Sequence, residues 1–205
     1  MLNREQAIDL INSSLREGAE LRIVVARDCS TAIFEAAGLI TKCLRAGGKL
    51  LFFGNGGSAA DAQHLAAEFV GRFVSERAGL AAISLTTDAS ILTAVGNDYG
   101  FDRVFGRQVQ ALARPGDVAV AISTSGNSPN VLEAVKEAKK HGLNVIGLTG
   151  KDGGALALEA HVAITVDSGS TARIQECHIA IGHIFCELVE RELIEAKSYE
   201  ELSGY

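Results

Sequence analysis

The sequence has no tryptophan, a single methionine, two prolines and four cysteines in 205 residues. With only Pro115 and Pro129 to interrupt it, the chain suits long helices and ordered strands, and its composition excludes a disordered or low-complexity protein. Cys29, Cys43, Cys177 and Cys186 form no C-x-x-C pair, and the opening MLNREQAIDL carries charge where a signal peptide has its apolar core. A reducing cytoplasm is therefore the expected location. No apolar run approaches the roughly 18 residues of a membrane span, so no membrane association is expected. Positive charge is also scarce: 19 Lys plus Arg stand against 25 Asp plus Glu, for a net charge of -6. No basic block follows a phosphate backbone, which argues against nucleic acid as a partner. What the chain does have is 47% hydrophobic residues, enough for one substantial core, and 22 glycines.

Apolar residues Ala7, Ile8, Ile11 and Leu15 recur at helical spacing and predict an amphipathic helix from Asn3 to about Arg16. A second helix is expected from about Arg22 to Arg45, with Ile33, Ala37, Ile40 and Leu44 on one stripe and Gly47-Gly48 as its stop. The pattern then changes to short apolar runs: LLFFG ending before Asn55, then AAISL, VAVAIS, VIGLT and VAITV. Helices are expected between them at about Ser58 to Glu76, Ala89 to Val95, Phe101 to Leu112 and Pro129 to His141, with a last one from Thr171 to about Ala196. The reading is an α/β chain, a doubly wound five-stranded parallel sheet flanked by helices with an N-terminal helical extension. Residues 1–48 form that extension and 49–205 the sheet domain, in one compact unit. Ligands of such sheets lie beyond the carboxyl ends of the strands, which directs attention to the loops after Phe53, Leu85, Ile122 and Leu148.

Two of these loops are unusual. Ser123-Thr124-Ser125-Gly126-Asn127-Ser128 leaves a buried strand and opens a helix, with Ser128 suited to the N-cap and Pro129 to the first helical position. Free amides, the helix dipole and four hydroxyls can hold a phosphate dianion without a lysine. One such serine would be a plain cap, but four hydroxyls in six residues favour a ligand. Gly54-Asn55-Gly56-Gly57-Ser58 lets a ligand approach the backbone and offers Ser58 as the next N-cap. Neither loop has the G-x-G-x-x-G or Gly-Lys-Ser/Thr pattern, so no nucleotide cofactor is expected.

The helix after the glycine loop carries Asp61, His64 and Glu68 on one face. Ser58-Ala59-Ala60-Asp61 resembles a capping box, a structural explanation for Asp61. His64 and Glu68, four residues apart, can converge on a metal ion or a substrate, although an exposed pair of this kind is otherwise only a solvated one. The last helix keeps Arg173, Gln175, Glu176, His178 and His183 in an apolar context, which requires a reason. Gln175 and His183 are eight residues apart, about 12 Å along a regular helix. Either Gln175 lies in a distorted helix start and reaches down, or one of the two serves a neighbouring subunit's site. Cys177 and Cys186 read as small buried hydrophobes.

The blocks GNGGSAADAQHLAAE, AVGNDYGFDRVF, AISTSGNSPN, LTGKDGG and STARIQECHIAIGH, in this order, resemble the bacterial phosphoheptose isomerases of the sugar isomerase (SIS) domain superfamily. The resemblance extends from the first helix to the last. It implies an aldose-ketose isomerase that converts sedoheptulose 7-phosphate to D-glycero-D-manno-heptose 7-phosphate, the first step of lipopolysaccharide heptose biosynthesis. It further implies substrate contacts at Asn55, Gly56, Gly57, Ser58, Glu68, Asn97, Asp98, Ser123, Thr124, Ser125, Ser128 and Gln175, and an acid-base pair at Glu68 and His183. One zinc per subunit, held by His64, Glu68, Gln175 and His183, and a homotetramer with shared sites are implied in the same way. The alternative is a noncatalytic relative that assists assembly of a replication initiator. Glu68 together with His183 favours the enzyme, since an assembly factor has no chemical use for that pair.

Overall fold

The computed structural model describes residues 2–203, with side chains described to residue 194. The elements run α1 (Arg4–Arg45), β1 (Leu50–Gly54), α2 (Gly57–Val70), β2 (Ala82–Ser84), α3 (Ala89–Tyr99), a 3-10 turn (Phe101–Arg103), α4 (Gly106–Leu112), β3 (Val118–Ser123), α5 (Pro129–Lys140), β4 (Asn144–Gly150), α6 (Gly154–Glu159), β5 (Val162–Val166) and α7 (Thr171–Ser203). All five strands are parallel, in the order β2-β1-β3-β4-β5. β1 and β3 are buried along their whole length, as strands covered on both faces must be. Alternation then divides the core. Leu50, Phe52, Val120 and Ile122 face α1, α2 and α7, while Leu51, Phe53, Ala119 and Ala121 face α4 and α5.

The N-terminal helix differs from expectation, because a single 42-residue helix replaces the two. Its start is an Asn3–Gln6 capping box. The gap expected between Arg16 and Arg22 is helical, and Gly18 within it is buried where α7 crosses: a Cβ there would lie 2.9 Å from Glu176 Oε2. Arg173 completes the docking, its Nη1 donating to Glu176 at 2.9 Å and to the Ser14 carbonyl at 2.8 Å. Val25, Cys29, Ile33, Ala37 and Ile40 join the same core as the sheet, so the extension is part of the domain's interior.

Other boundaries move as well, and α3 runs on to Tyr99, past the Val95 expected. α2 stops at Val70 instead of Glu76, because the amides of Phe73, Val74 and Ser75 donate to the Glu190 carboxylate of α7 instead of to helical carbonyls. The helix expected over 101–112 is divided where Val104 and Phe105 turn into the core. The short α6 had no counterpart in the sequence reading, since Gly153 and Gly154 at its start, both at positive φ, look like a turn.

α2 and α7 run side by side at the site end of the sheet. They meet closely at Gly182, where a Cβ would collide with the Leu65 side chain, itself 1% exposed. Gly182→Ala is therefore expected to cost about 1–3 kcal/mol through overpacking. By moving the two helices apart it should also lower activity by up to about 100-fold. Urea unfolding and steady-state kinetics on the same preparation check both, and a variant with normal kcat would show that the spacing is not critical.

Candidate active site

The chain leaves β1 towards β2 on one side and continues through β3, β4 and β5 on the other, so the crevice beyond the β1 and β3 ends is the topological switch point. Both unusual loops open here. They are tied by a reciprocal amide pair: Asn55 Nδ2 donates to Asn130 Oδ1 at 2.8 Å, and Asn130 Nδ2 to Asn55 Oδ1 at 2.9 Å.

The serine loop is shaped before any ligand arrives. Gly126 sits at φ 66, against the Gly153 carbonyl, where a Cβ has no space. Asn127 braces the turn, its Nδ2 donating to the Ser125 carbonyl at 2.9 Å and its Oδ1 accepting from the Ala155 amide at 3.0 Å. Ser123 Oγ and Ser128 Oγ stand 3.0 Å apart, with Ser125 Oγ 3.5 Å from Ser123 Oγ, and Thr124 half-buried between them. Ser128 occupies the N-cap position of α5 and Pro129 the first turn, as expected, yet the Ser128 hydroxyl caps no amide. Its hydrogen-bonding capacity is directed into the serine cluster instead of to the helix. Pro129 has no N–H and the Val131 and Leu132 amides donate to the Ser128 carbonyl, so in the first turn of α5 the Asn130 amide is the one left for a dianion.

The glycine loop corrects two expectations. Gly56, at φ 57, is the N-cap of α2, and Ser58 lies inside the helix. The capping box is absent, so Asp61 loses that role. Its Oδ2 is buried without a hydrogen-bond partner, and burial pushes its pKa up, with His64 opposing.

His64, Glu68 and His183 converge. His64 Nε2 lies 2.9 Å from His183 Nε2 and 3.5 Å from Glu68 Oε1. Two imidazoles and a carboxylate are donor types that zinc takes, but among the described residues no group of three such side chains is arranged to hold a metal ion. Gln175 does not join them within the chain. It lies in α7, not in a distorted start, and its amide packs on Gly57, seven residues and about 10 Å up α2 from His64. The four residues implied as zinc ligands thus divide into three and one. Asn97 and Asp98 lie exposed at the end of α3, where Asn97 Nδ2 donates to Asp98 Oδ1 at 2.8 Å. Among the described residues, no hydrogen bond joins either of them to the two loops.

The SIS domain family matches residues 15–150. The phosphoheptose isomerase of Rhodospirillum rubrum is 61% identical over 166 residues, 81% of this chain and 88% of that protein. That of Aquifex aeolicus is 53% identical over 92% of this chain and 98% of its own. The chain belongs to the phosphoheptose isomerase family of SIS-domain proteins. Its fold agrees with that of the phosphoheptose isomerase from Neisseria gonorrhoeae, with TM-score 0.86 and 47% identity across 90% of this chain and 99% of that one. The Francisella tularensis enzyme gives TM-score 0.87 at 40% identity, over 90% and 98% of the two chains.

Other polar residues of α7 have structural roles within this family fold. Arg173 and Glu176 dock α1, and His178 donates through Nε2 to the Thr149 carbonyl at 2.8 Å, fully buried. All four cysteines are buried, and burial pushes Cys43 up to about 11 and Cys186 up to about 12, so they behave as apolar side chains. Sequence reasoning missed Arg77 and Glu190, an ion pair of 2.9 Å whose members are 113 residues apart, with no local pattern to announce it.

Proposed function

We propose that the chain interconverts sedoheptulose 7-phosphate and D-glycero-D-manno-heptose 7-phosphate by proton transfer through an enediolate. The observation that carries this reading is the meeting of Glu68 and His64 on α2 with His183 on α7, beside a hydroxyl-lined loop at the switch point. Ser123, Thr124, Ser125 and Ser128, with the Asn130 backbone amide at the start of α5, hold the phosphate. Asn55, Gly56, Gly57 and Ser58, with Gln175 against Gly57, take the sugar oxygens, and Asn97 and Asp98 complete the substrate's surroundings. Glu68 removes the proton from the carbon next to the carbonyl and returns it to the neighbouring carbon, and His183 supplies and accepts the oxygen-bound protons. Amide and hydroxyl donors stabilise the charge that develops between the two carbons.

The donor types of His64, Glu68 and His183 support zinc as the ion this site would take, once their side chains close on it, with Gln175 of a neighbouring copy as the candidate fourth ligand. When bound, the ion would polarise the substrate oxygens. A carboxylate that grips a metal is a weaker base, so Glu68 acts as the base only where its coordination is loose. Elemental analysis of stripped and reloaded protein, with turnover in each state, tests the metal. The assembly is a homotetramer in the cytoplasm, supported by Ile23 and Phe34 on α1 and Ile184 on α7, which are 70%, 67% and 41% exposed. Incubation with sedoheptulose 7-phosphate and detection of the aldose product tests the reaction itself. A sugar phosphate that is bound but left unchanged would defeat it.

A further inference from the structure

Glu190 and Arg77 are almost completely enclosed, with side chains 4% and 7% exposed. Neither belongs to the proton-transfer pair, yet each contacts an element that carries one of its members. Glu190 follows His183 by two turns on α7. Its carboxylate accepts from three consecutive amides, Phe73 at 3.2 Å, Val74 at 3.0 Å and Ser75 at 2.6 Å, and from Arg77 Nε at 2.9 Å. Burial raises its pKa, but these amides and the guanidinium hold it below the ordinary glutamate value, so it remains charged. Arg77 directs its remaining donors to the end of α2 and, through Nη1, to the Ala78 carbonyl at 3.1 Å. Nη2 donates to the carbonyl of Glu68 itself at 2.9 Å, and Nη1 to those of Phe69 at 2.9 Å and Gly71 at 3.3 Å. The Phe73 ring, fixed by the same carboxylate through its amide, lies 5.6 Å from the His183 ring at an interplanar angle of 32°.

We propose that the Arg77–Glu190 ion pair is a positioning pair, which fixes the last turn of α2 and the Phe73 ring against α7 so that Glu68 and His183 keep their working separation. The proposal rests on the reading of Glu68 and His183 as the acid-base pair. Removing one partner leaves a buried charge uncompensated and destabilises the fold, whereas replacing both with apolar side chains of similar length need not. The deciding variant is therefore Arg77→Met/Glu190→Met in the full-length chain, assayed with sedoheptulose 7-phosphate after thermal unfolding has shown it folded at the assay temperature. The expected result is a kcat lowered by about 10-fold or more with KM within about two-fold of the parent, the signature of a lost transition-state geometry. A purely structural role would leave kcat of the folded variant unchanged, and that result overturns the proposal. If the double variant does not fold, Phe73→Leu decides in the same way, because it keeps the ion pair and removes only the ring beside His183. Glu68→Gln is assayed in parallel. If it retains turnover, the acid-base reading falls. If it is inactive while the other variants turn over normally, the positioning claim alone fails.

Discussion

Glu68→Gln is expected to lower kcat by about 10²–10⁴-fold, the range over which a positioned general base acts, while sugar-phosphate binding remains measurable. The substitution preserves shape and hydrogen-bonding reach but removes the ability to take a proton from carbon. Binding should survive because the phosphate anchor is built elsewhere, from Ser123 to Ser128 and the start of α5, braced by Asn127 and by the Asn55–Asn130 pair. Calorimetric titration with sedoheptulose 7-phosphate alongside kinetics separates the two quantities, and metal content measured on the same sample distinguishes a lost base from a lost ligand. Near-normal turnover would refute the base assignment. Loss of binding together with kcat would mean that Glu68 belongs to the binding surface.

The second large effect is on stability in acid. His178 is completely buried, donates its Nε2 hydrogen to the Thr149 carbonyl and has a buried Nδ1 without a partner. Desolvation pushes its pKa down to about 4 from 6.5, partly opposed by the Thr149 hydrogen bond. The folded chain thus refuses a proton that the unfolded chain accepts. Stability from this neutral ring is fully present above about pH 6.5 and is lost as pH falls through about 4, to a total on the order of 3 kcal/mol. Urea unfolding of the parent and of His178→Gln at pH 7 and pH 4 isolates this share, since carboxylates contribute equally to both. The variant should lose less stability on acidification, and identical losses would show that His178 does not set the acid limit.

The strands were legible because LLFFG, VAVAIS and VIGLT are short apolar runs bounded by glycine or polar residues, and burial on both faces leaves little else for such runs to be. The serine loop was legible for a local reason too, as its hydroxyls and the helix start are contiguous in the chain. The misjudged features depend on distant partners. The stretch between Arg16 and Arg22 reads as a helix break until α7 is seen to dock on it at Gly18, and Ser58 reads as a cap until Gly56 is seen to take that position at positive φ. The convergence of His64 and Glu68 with His183 could be suspected from residue types. That Gln175 would stop at Gly57 depends on how two helices lie together, which no spacing along one chain expresses. Arg77 and Glu190 were less visible still, because an ordinary arginine in a loop and a glutamate on a long helix acquire meaning only in contact.

The unbroken first helix carries a consequence for how the molecule behaves in dilute solution. A rod of 42 residues is roughly 60 Å long, and its first tie to the body is the Ser14 carbonyl held by Arg173, so about 15 Å overhangs. Leu10 and Ile11 on that overhang are 56% and 57% exposed, and Leu15 just past it is 68% exposed. A segment of about ten residues does not hold its turns in water by itself. A partner surface laid against Leu10 and Ile11 would supply that order, and the melting of the arm would then depend on protein concentration as well as on temperature.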